Sequence, residues 1–238
     1  MAEHYPETAD IETSSDGYAA RFAGPVGEWM LGIQKEIVVS WVREAQADAI
    51  LDVGGGHGQL AVPLARAGNK VTVLGSDAAC SRRIEAEVRE GKIQFVVGNV
   101  IALPFPDRSF DVVISVRLLP HCERWPELIR ELCRVARKSV IVDYPVESKL
   151  SSLLFGVKKK IEGNTRTWLA FRHAVVRSEF ERNGFRFKRR RGQFFLPMVL
   201  HRTLRCRPLS EFLENICRSL GLTRRWASPV LVEMERNG

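Results

Sequence analysis

A glycine-rich loop follows an apolar segment early in the chain. Residues 49–53 read AILDV, and residues 54–58 read GGGHG. Glycines allow a tight turn and let a ligand approach the backbone closely, and the N–H groups at the start of the next helix favour an anionic group. Asp52, two residues before the first glycine, adds a carboxylate that can pair with an amine. The pattern therefore predicts a site for a ligand such as a nucleoside that carries an amino acid.

The glycine spacing separates this loop from two other ligand-binding loops. A dinucleotide-binding loop has the pattern G-x-G-x-x-G, but Gln59 stands where its last glycine would fall. A phosphate-binding P-loop needs Gly-Lys-Ser/Thr, which does not follow these glycines. The P-loop is therefore excluded, and a dinucleotide is disfavoured.

Five short apolar runs predict the strands that must position this loop. They lie at residues 49–53, 71–74, 93–97, 111–116 and 139–143, and helical patterns separate them. This alternation indicates parallel βαβ units in a doubly wound sheet. Ligands of such sheets bind beyond the carboxyl ends of the strands, so the residues that follow each strand are the candidate site residues.

The two ends of the chain follow other patterns. Residues 1–16 are polar and acidic and predict a disordered tail. Residues 17–44 predict a helix. Beyond the fifth strand, the patterns predict a basic helical stretch at 146–180, strands at 185–195 and 229–233, and a helix at 209–220.

Three stretches resemble motifs of the class I S-adenosylmethionine (SAM)-dependent methyltransferases. Residues 49–58 resemble the first motif of that family, 97–105 (VGNVIALPF) the stretch after its third strand, and 110–115 (FDVVIS) its fourth strand. The likeness is strongest to the small-molecule branch, which includes quinone and sterol methyltransferases. It implies an α/β fold with a Rossmann-like, doubly wound sheet of seven strands, an antiparallel last strand and a helical insertion in the C-terminal third.

The resemblance also implies a domain organisation. We expect one methyltransferase domain at residues 17–238, with the cofactor-binding core at 45–145. Residues 146–238 would form a basic C-terminal part that carries the acceptor-binding insertion.

Roles for individual residues follow from the same resemblance. The loop would line the methionine part of SAM, and Asp52 would support the loop. Asn99 stands where the family usually has Asp and would accept a hydrogen bond from adenine through its carbonyl oxygen. The backbone N–H of Val100 would reach the adenine ring, and Ser115 would face the sulfonium. The loop residues are Gly54, Gly55, Gly56 and Gly58.

One departure from the family pattern concerns the ribose. The family has an acidic residue after its second strand, and Gly75 stands at that position here. Two alternatives remain: Asp77 reaches back to the ribose hydroxyls, or Ser76 and the backbone bind them.

Methyl transfer from a sulfonium needs mainly positioning, and it needs a base only where the acceptor must lose a proton. His121, just past the fourth strand, is the candidate base, with packing against the next helix as the alternative. His57 is interpreted as a loop residue near the cofactor. Tyr18, Arg21 and Phe22 either close over the cofactor as a lid or pack as an ordinary terminal helix.

The C-terminal part is expected to select the acceptor. Trp168 and His173 are candidate acceptor or lid residues. Residues 194–200 (FFLPMVL) predict a lid, a hydrophobic acceptor pocket, a membrane-touching edge or a core strand, and residues 188–191 (KRRR) suit an anionic head group. Together they favour a small-molecule or lipid-like, amphiphilic acceptor, methylated on oxygen or carbon, with peripheral membrane contact as a further expectation.

The charge distribution keeps other functions open. Residues 1–148 carry 16 Lys and Arg against 21 Asp and Glu, a net charge of −5. Because the whole chain has a net charge of +8, residues 149–238 carry a net charge of +13. A basic part of this kind also suits an RNA methyltransferase, although no Asn/Asp-Pro-Pro-aromatic motif follows the fourth strand. A non-catalytic protein that binds a partner through its basic face is the third alternative.

Composition sets the remaining expectations. The five cysteines form no C-x-x-C pair, so we expect neither a metal site nor a disulfide framework. A reducing, cytoplasmic compartment fits this usage best. No run of about 18 apolar residues is present, and the first residues lack the pattern of a secretory signal.

Overall fold

A seven-stranded sheet organises the chain. The computed structural model describes residues 5–147 and 169–238. The strand order is β3-β2-β1-β4-β5-β7-β6. β7 is antiparallel to both β5 and β6, and the other neighbouring pairs are parallel. The strands are β1 (Ala49–Val53), β2 (Lys70–Gly75), β3 (Ile93–Val97), β4 (Phe110–Ser115), β5 (Ala136–Tyr144), β6 (Phe185–Gly192) and β7 (Val230–Arg236).

Helices cover both faces of this sheet. Those before β5 are α1 (Ala9–Thr13), α2 (Asp16–Ala20), α3 (Gly24–Glu44), α4 (Ala61–Arg66), α5 (Glu85–Arg89) and α6 (Trp125–Val135). Those after β5 are α7 (His173–Arg182), α8 (Met198–Leu204), α9 (Arg207–Ser219) and α10 (Leu222–Trp226).

Successive residues of the central strands serve two separate cores. Leu51 and Val113 pack in a cluster with side chains of α6 and α7. Ile50 and Val112 pack in a second cluster with side chains of α3 and α4. Side chains alternate between the faces of a strand, and a parallel sheet covered on both faces needs apolar residues on both. This is why β1 and β4 read as unbroken apolar runs.

The strand order reverses between β1 and β4. Ligands of doubly wound sheets bind beyond the carboxyl ends of the strands at such a switch point. The glycine loop follows β1 and therefore lies at this crevice. The predicted seven-stranded, doubly wound fold with antiparallel β7 is confirmed.

The N-terminal residues differ from the expectation. Within residues 5–16, assigned above to a disordered tail, residues 9–13 form α1 and Asp16 begins α2. The helix expected over 17–44 is divided into α2 and α3. Buried Asp10 and Tyr18 explain the order, because these polar and aromatic side chains have partners deep in the crevice.

The C-terminal part also differs in detail. The predicted strand over 185–195 ends at Gly192, and residues 198–204 form helix α8. Phe194 is fully buried against α3 in a third apolar cluster, and residues 198–200 begin α8, so residues 194–200 do not form the core strand that was one of the alternatives. The prediction for Trp168 lies outside the described residues, as does the Lys158–Lys160 part of the expected basic helix.

Candidate functional site

Two glycines of the loop adopt left-handed backbone conformations. Gly54 has φ +76° and Gly58 has φ +78°, a region that glycine enters without steric cost. Between them lies a short 3-10 turn, Gly55–His57. The N–H of Gly54 donates to the carbonyl of Leu74 at 2.8 Å, which ties the start of the loop to β2. This hydrogen bond fixes the loop at the carboxyl end of β1.

The carboxyl group of Asp52 lies directly beneath this loop. A Cβ placed on Gly55 would lie 2.2 Å from the Asp52 Cγ, so only glycine fits at that position. Burial raises the pKa of Asp52 to about 7, against the opposing positive charge of Arg117. A cationic group bound here would favour the ionised carboxylate.

Arg117 follows β4 and lies in the same crevice. Its backbone has φ +66°, and its N–H donates to Asp143 Oδ1 at 2.6 Å. The guanidinium carbon lies 5.5 Å from the ring centroids of Tyr18 and Phe22. Its Nε and Nη1 are buried and have no hydrogen-bond partner among the described residues. A buried guanidinium in this state is suited to an anionic partner such as a carboxylate.

Asp143, at the end of β5, belongs to a buried amide network. Gln34 of α3 donates to its Oδ2 at 3.0 Å, and Gln59 donates to the Gln34 Oε1 at 2.9 Å. Gln193 also contacts Gln34, at 3.4 Å. Burial raises the pKa of Asp143 to about 6, partly offset by the N–H and charge of Arg117. The network links the glycine loop to the far side of the crevice.

His57 is neutral in this environment. Burial lowers its pKa to about 3, assisted by the charges of Arg117 and Arg83. Both ring nitrogens are buried and lack hydrogen-bond partners among the described residues. The ring of Tyr18 meets it edge-on, with 6.5 Å between the centroids.

The ends of β2 and β3 hold the other predicted cofactor residues. The Asp77 carboxylate is exposed and accepts from the Ala79 N–H at 2.7 Å as an N-cap. The Asn99 Oδ1 accepts from the Ile101 N–H at 3.1 Å, and Val100 is fully buried. A Cβ on Gly75 would lie 2.7 Å from the Cys80 Cβ. This packing leaves no room for a side chain where the family has its acidic residue.

Asp10 of α1 occupies the position beyond β2. Its Oδ2 accepts from the Ser76 N–H at 2.6 Å, and its Oδ1 accepts from the Ser76 hydroxyl at 2.5 Å. The side chain is fully buried. Its Cβ would lie 3.5 Å from a Cβ placed on Gly54. A carboxyl group from the N-terminal segment thus fills the space between the glycine loop and β2.

Residues 5–23, named here the N-terminal cover, are anchored around the crevice. Glu7 accepts from the Arg124 N–H at 2.7 Å, and Asp16 pairs with Arg83 at 2.7 Å. The Ser14 hydroxyl oxygen would lie 2.6 Å from a Cβ on Gly56. The cover therefore contacts the loop directly, without a layer between them.

A model of a known methyltransferase domain matches residues 51–142. This range contains the glycine loop, the ends of β2, β3 and β4, and Arg117, whereas α1, α3 and Asp143 at the end of β5 lie outside it. The part of the chain that is similar to a methyltransferase domain is thus the core predicted from the sequence to bind the cofactor.

Several relatives match the core of the chain. A ubiquinone/menaquinone biosynthesis C-methyltransferase of Dinoroseobacter shibae is 30% identical over 111 residues, 44% of this chain and 44% of the relative. A 2-phytyl-1,4-naphtoquinone methyltransferase of Trichormus variabilis is 32% identical over 122 residues, 47% of this chain and 53% of the relative. The chain spans about half the length of these relatives.

A solved structure extends the likeness of the fold to nearly the whole chain. The magnesium protoporphyrin IX methyltransferase of Synechocystis, with bound S-adenosylhomocysteine (SAH), has a TM-score of 0.68 at 18% identity, covering 94% of this chain and 96% of that one.

The residues of the crevice fit the amino-acid end of SAM. The unpartnered guanidinium atoms of Arg117 suit its carboxylate, and the Asp52 carboxyl group suits its ammonium. In the loop itself, residues 54–58, every residue except His57 is a glycine. On the side of the loop that faces β2, Asp10 and Ser14 fill the space above Gly54 and Gly56. A ligand bound against this part of the loop would therefore have to displace α1 from it.

The other predicted site residues lie in two places. Ser115, at the end of β4, is fully buried, and its hydroxyl has no partner among the described residues. His121 lies in the 3-10 turn after β4 and is half-buried. The Nδ1 of His173 lies 2.5 Å from the Tyr144 hydroxyl, and its ring meets Phe187 edge-on, in a cluster that holds α7 on β5 and β6.

The basic run at 188–191 is largely neutralised within the fold. Lys188 pairs with buried Glu233 at 3.1 Å, and Arg189 pairs with both Glu233 and Glu44. Arg189 also lies over the ring of Trp41. The expectation that this run is available to an anionic head group is therefore wrong for these two residues, since their charges hold β6 to β7 and α3.

Four crevice residues carry no motif in the sequence. Asp10, Gln34, Arg117 and Asp143 come from four separate elements and meet only in the folded chain. Their one shared signal is position, since Arg117 and Asp143 stand at the ends of β4 and β5. The rule that ligands bind at strand ends points to those two, but not to Asp10 or Gln34.

Proposed function

We propose that this chain binds SAM and transfers its methyl group to a small-molecule, amphiphilic acceptor that carries an anionic group. The observation that carries the cofactor half is that two buried, unpartnered guanidinium nitrogens of Arg117 and the carboxyl group of Asp52 lie near the same glycine-rich loop. When bound, SAM supplies an activated methyl group, so the chain must mainly position the donor and acceptor and exclude water.

Different residues of the crevice bind the cofactor, pack around it and accept a proton from the acceptor. Arg117 and Asp52 bind the charged groups of the cofactor's amino acid. Tyr18 and Phe22 are both buried, and their rings pack against the Arg117 guanidinium. Neutral His57 is an acceptor or donor at the loop, and His121 is the base where the acceptor must lose a proton.

An arginine-rich cavity supports the anionic acceptor. A surface cavity of about 510 Å³ is lined by Arg21, Val199, Arg202, Thr203 and Arg205. None of these five side chains is acidic. The charges of Arg21 and Arg202 act on Tyr18, whose pKa burial raises, so the cavity adjoins the cover of the crevice. An acceptor anchored there by its anionic group can extend toward Tyr18 and the donor.

The names of the relatives agree with a small molecule of this kind. Two of them are quinone or naphthoquinone methyltransferases, whose named acceptors are small molecules. A 27-O-demethylrifamycin SV methyltransferase of Amycolatopsis mediterranei also matches, at 37% identity over 98 residues. These names support the acceptor class and leave open the choice between oxygen and carbon.

The test is a transfer assay that separates acceptor classes. The protein is incubated with methyl-tritiated SAM and either a lipid extract or total RNA, and the label is counted in each product. We expect label in organic-soluble products and a loss of that label in an Arg202→Ala/Arg205→Ala variant that still binds SAH. Label in RNA alone, or label in neither product, contradicts the proposal.

A further inference from the structure

The exposed apolar side chains gather in the C-terminal helices. Among the described residues, ten large apolar side chains are exposed, and seven of these lie within residues 200–226. Large apolar patches on a soluble surface mark sites of interaction. The concentration in a tenth of the chain therefore points to α8–α10 as a binding surface.

The centre of this surface is a stripe along α9. Leu209, Phe212, Ile216 and Leu220 follow the spacing i, i+3, i+7 and i+11, and their exposed fractions are 41%, 60%, 40% and 68%. At about 100° per residue, they share roughly 80° of the helix circumference. The stripe runs from the second residue after Arg207 to Leu220, the residue that follows the last residue of the helix.

The face that α9 turns to the protein is polar. Ser210, Glu214 and Cys217 are buried. Glu214 accepts from the backbone N–H groups of Phe195 at 3.0 Å and Leu196 at 2.8 Å. These bonds hold α9 in an orientation that points its apolar stripe outward. The exposure of the stripe is therefore built into the packing of the helix.

The segment that carries the stripe is positively charged. Residues 198–226 contain six arginines and two glutamates, a net of +4. Glu214 is buried, and Glu211 pairs with Arg207 at 2.8 Å. Arg225 lies over the exposed ring of Trp226, 5.3 Å from its centroid. An apolar helix face in an arginine-rich segment with an exposed tryptophan is typical of helices that lie in a bilayer interface.

We propose that helices α8–α10 bind the surface of an anionic bilayer, with the stripe of α9 inserted among the acyl chains and the arginines on the head groups. Charge complementarity selects this partner, because anionic lipid attracts juxtamembrane arginines whereas a second copy of the same cationic face is repelled. The contact is peripheral, since no helix of the described residues is long and apolar enough to cross a bilayer. This inference does not depend on methyl transfer.

The experiment is vesicle co-sedimentation of the full chain. Vesicles of phosphatidylcholine with added phosphatidylglycerol are compared with vesicles of phosphatidylcholine alone, at low and high salt. We expect binding to the anionic vesicles that weakens with salt. Phe212→Asp should reduce binding about tenfold or more, and Arg224→Glu should reduce it on anionic vesicles only.

The matched control is Val175→Asp on α7, an exposed apolar residue outside this surface (45% exposed), and it should bind vesicles like the wild type. Thermal unfolding of each variant confirms that it is folded. Wild-type binding that Phe212→Asp leaves unchanged, equal binding to neutral vesicles, or no binding would overturn the proposal. A dimer in light scattering that Phe212→Asp dissociates would also overturn it, because the stripe would then pack against a second copy.

Discussion

Replacing Asp10 by alanine should raise the affinity for SAH. The Asp10 carboxyl group holds α1 against the glycine loop through two hydrogen bonds from Ser76, at 2.6 and 2.5 Å. Because α1 fills the space above Gly54, the cofactor and the closed cover compete for one place. Weakening the closed state increases the fraction of molecules that can bind, and the apparent Kd falls by that factor.

The size of the effect follows from the two bonds. Each contributes a net of about 0.5–1.5 kcal/mol, because Ser76 exchanges Asp10 for water when the cover opens. Losing both removes about 1–3 kcal/mol from the closed state, which corresponds to an affinity gain of about 5- to 150-fold. The contact of the Cys80 thiol with Asp10, at 3.4 Å, is long and adds little.

Isothermal titration calorimetry with SAH measures this gain. Glu12→Ala is the matched control, because it removes an exposed carboxylate from the same helix without changing the bonds to Ser76. The control should bind SAH like the wild type. An unchanged affinity of Asp10→Ala would show that the cover does not compete with the cofactor. A loss of affinity would show instead that Asp10 is a ligand of the ribose hydroxyls.

Three further perturbations test the crevice. Burial raises the pKa of Asp52 to about 7 and that of Asp143 to about 6, from 3.8 for an exposed Asp. Between about pH 4 and about pH 7, the folded protein therefore holds protons that the unfolded chain has lost. Its stability falls as the pH rises from about 4 to about 7. Asp52→Asn should flatten this fall in urea unfolding measured across that range, and an equal slope in both proteins would exclude Asp52 as its source. Arg117→Met should weaken SAH binding about 10- to 150-fold by calorimetry, since a charge-assisted hydrogen bond contributes about 1.5–3 kcal/mol, and undiminished binding would remove Arg117 from the site. His121→Gln should lower kcat for an acceptor that must lose a proton by about 10²-fold or more with SAH affinity unchanged, and a normal kcat would assign the histidine to packing.

The sequence predicts the sheet well because its signals are local. Each of β1 to β5 is an apolar run bounded by polar or glycine residues, and the fold follows from their alternation with helices. The glycine loop is equally local, since seven consecutive residues contain both the acid and the glycines. This explains why the cofactor family is recognisable from residues 45–145 alone.

The N-terminal cover could not be predicted in the same way. Asp10 lies among other acidic residues in a polar segment, and its partner Ser76 is 66 residues away. Local composition therefore indicates a disordered tail, whereas long-range contacts order it. Gly75 has no side chain where the family has an acidic residue, and the carboxyl group of Asp10 from α1 bonds to the next residue, Ser76.

The exposed stripe of α9 is a second feature that tertiary contacts determine. The periodicity of residues 209–220 predicts a helix, which the structure confirms, and an apolar face of this kind normally faces the core. Here the hydrogen bonds that buried Glu214 accepts from Phe195 and Leu196 hold the polar face of α9 against the protein, and the apolar face is exposed. A pattern in the sequence identifies the apolar face but not the side on which it lies.

Calorimetric titration with SAH tests the central claim, that the crevice beyond β1 and β4 binds the cofactor. The wild type and Asp10→Ala are compared with Gly56→Val, whose Cβ would lie 2.1 Å from the Cys80 carbonyl oxygen, and with Gly32→Ala, which has no heavy atom within 4 Å of its new Cβ. We predict micromolar binding by the wild type, tighter binding by Asp10→Ala, wild-type behaviour of Gly32→Ala and loss of binding by Gly56→Val. Folded wild type and Asp10→Ala that both fail to bind SAH would contradict the account.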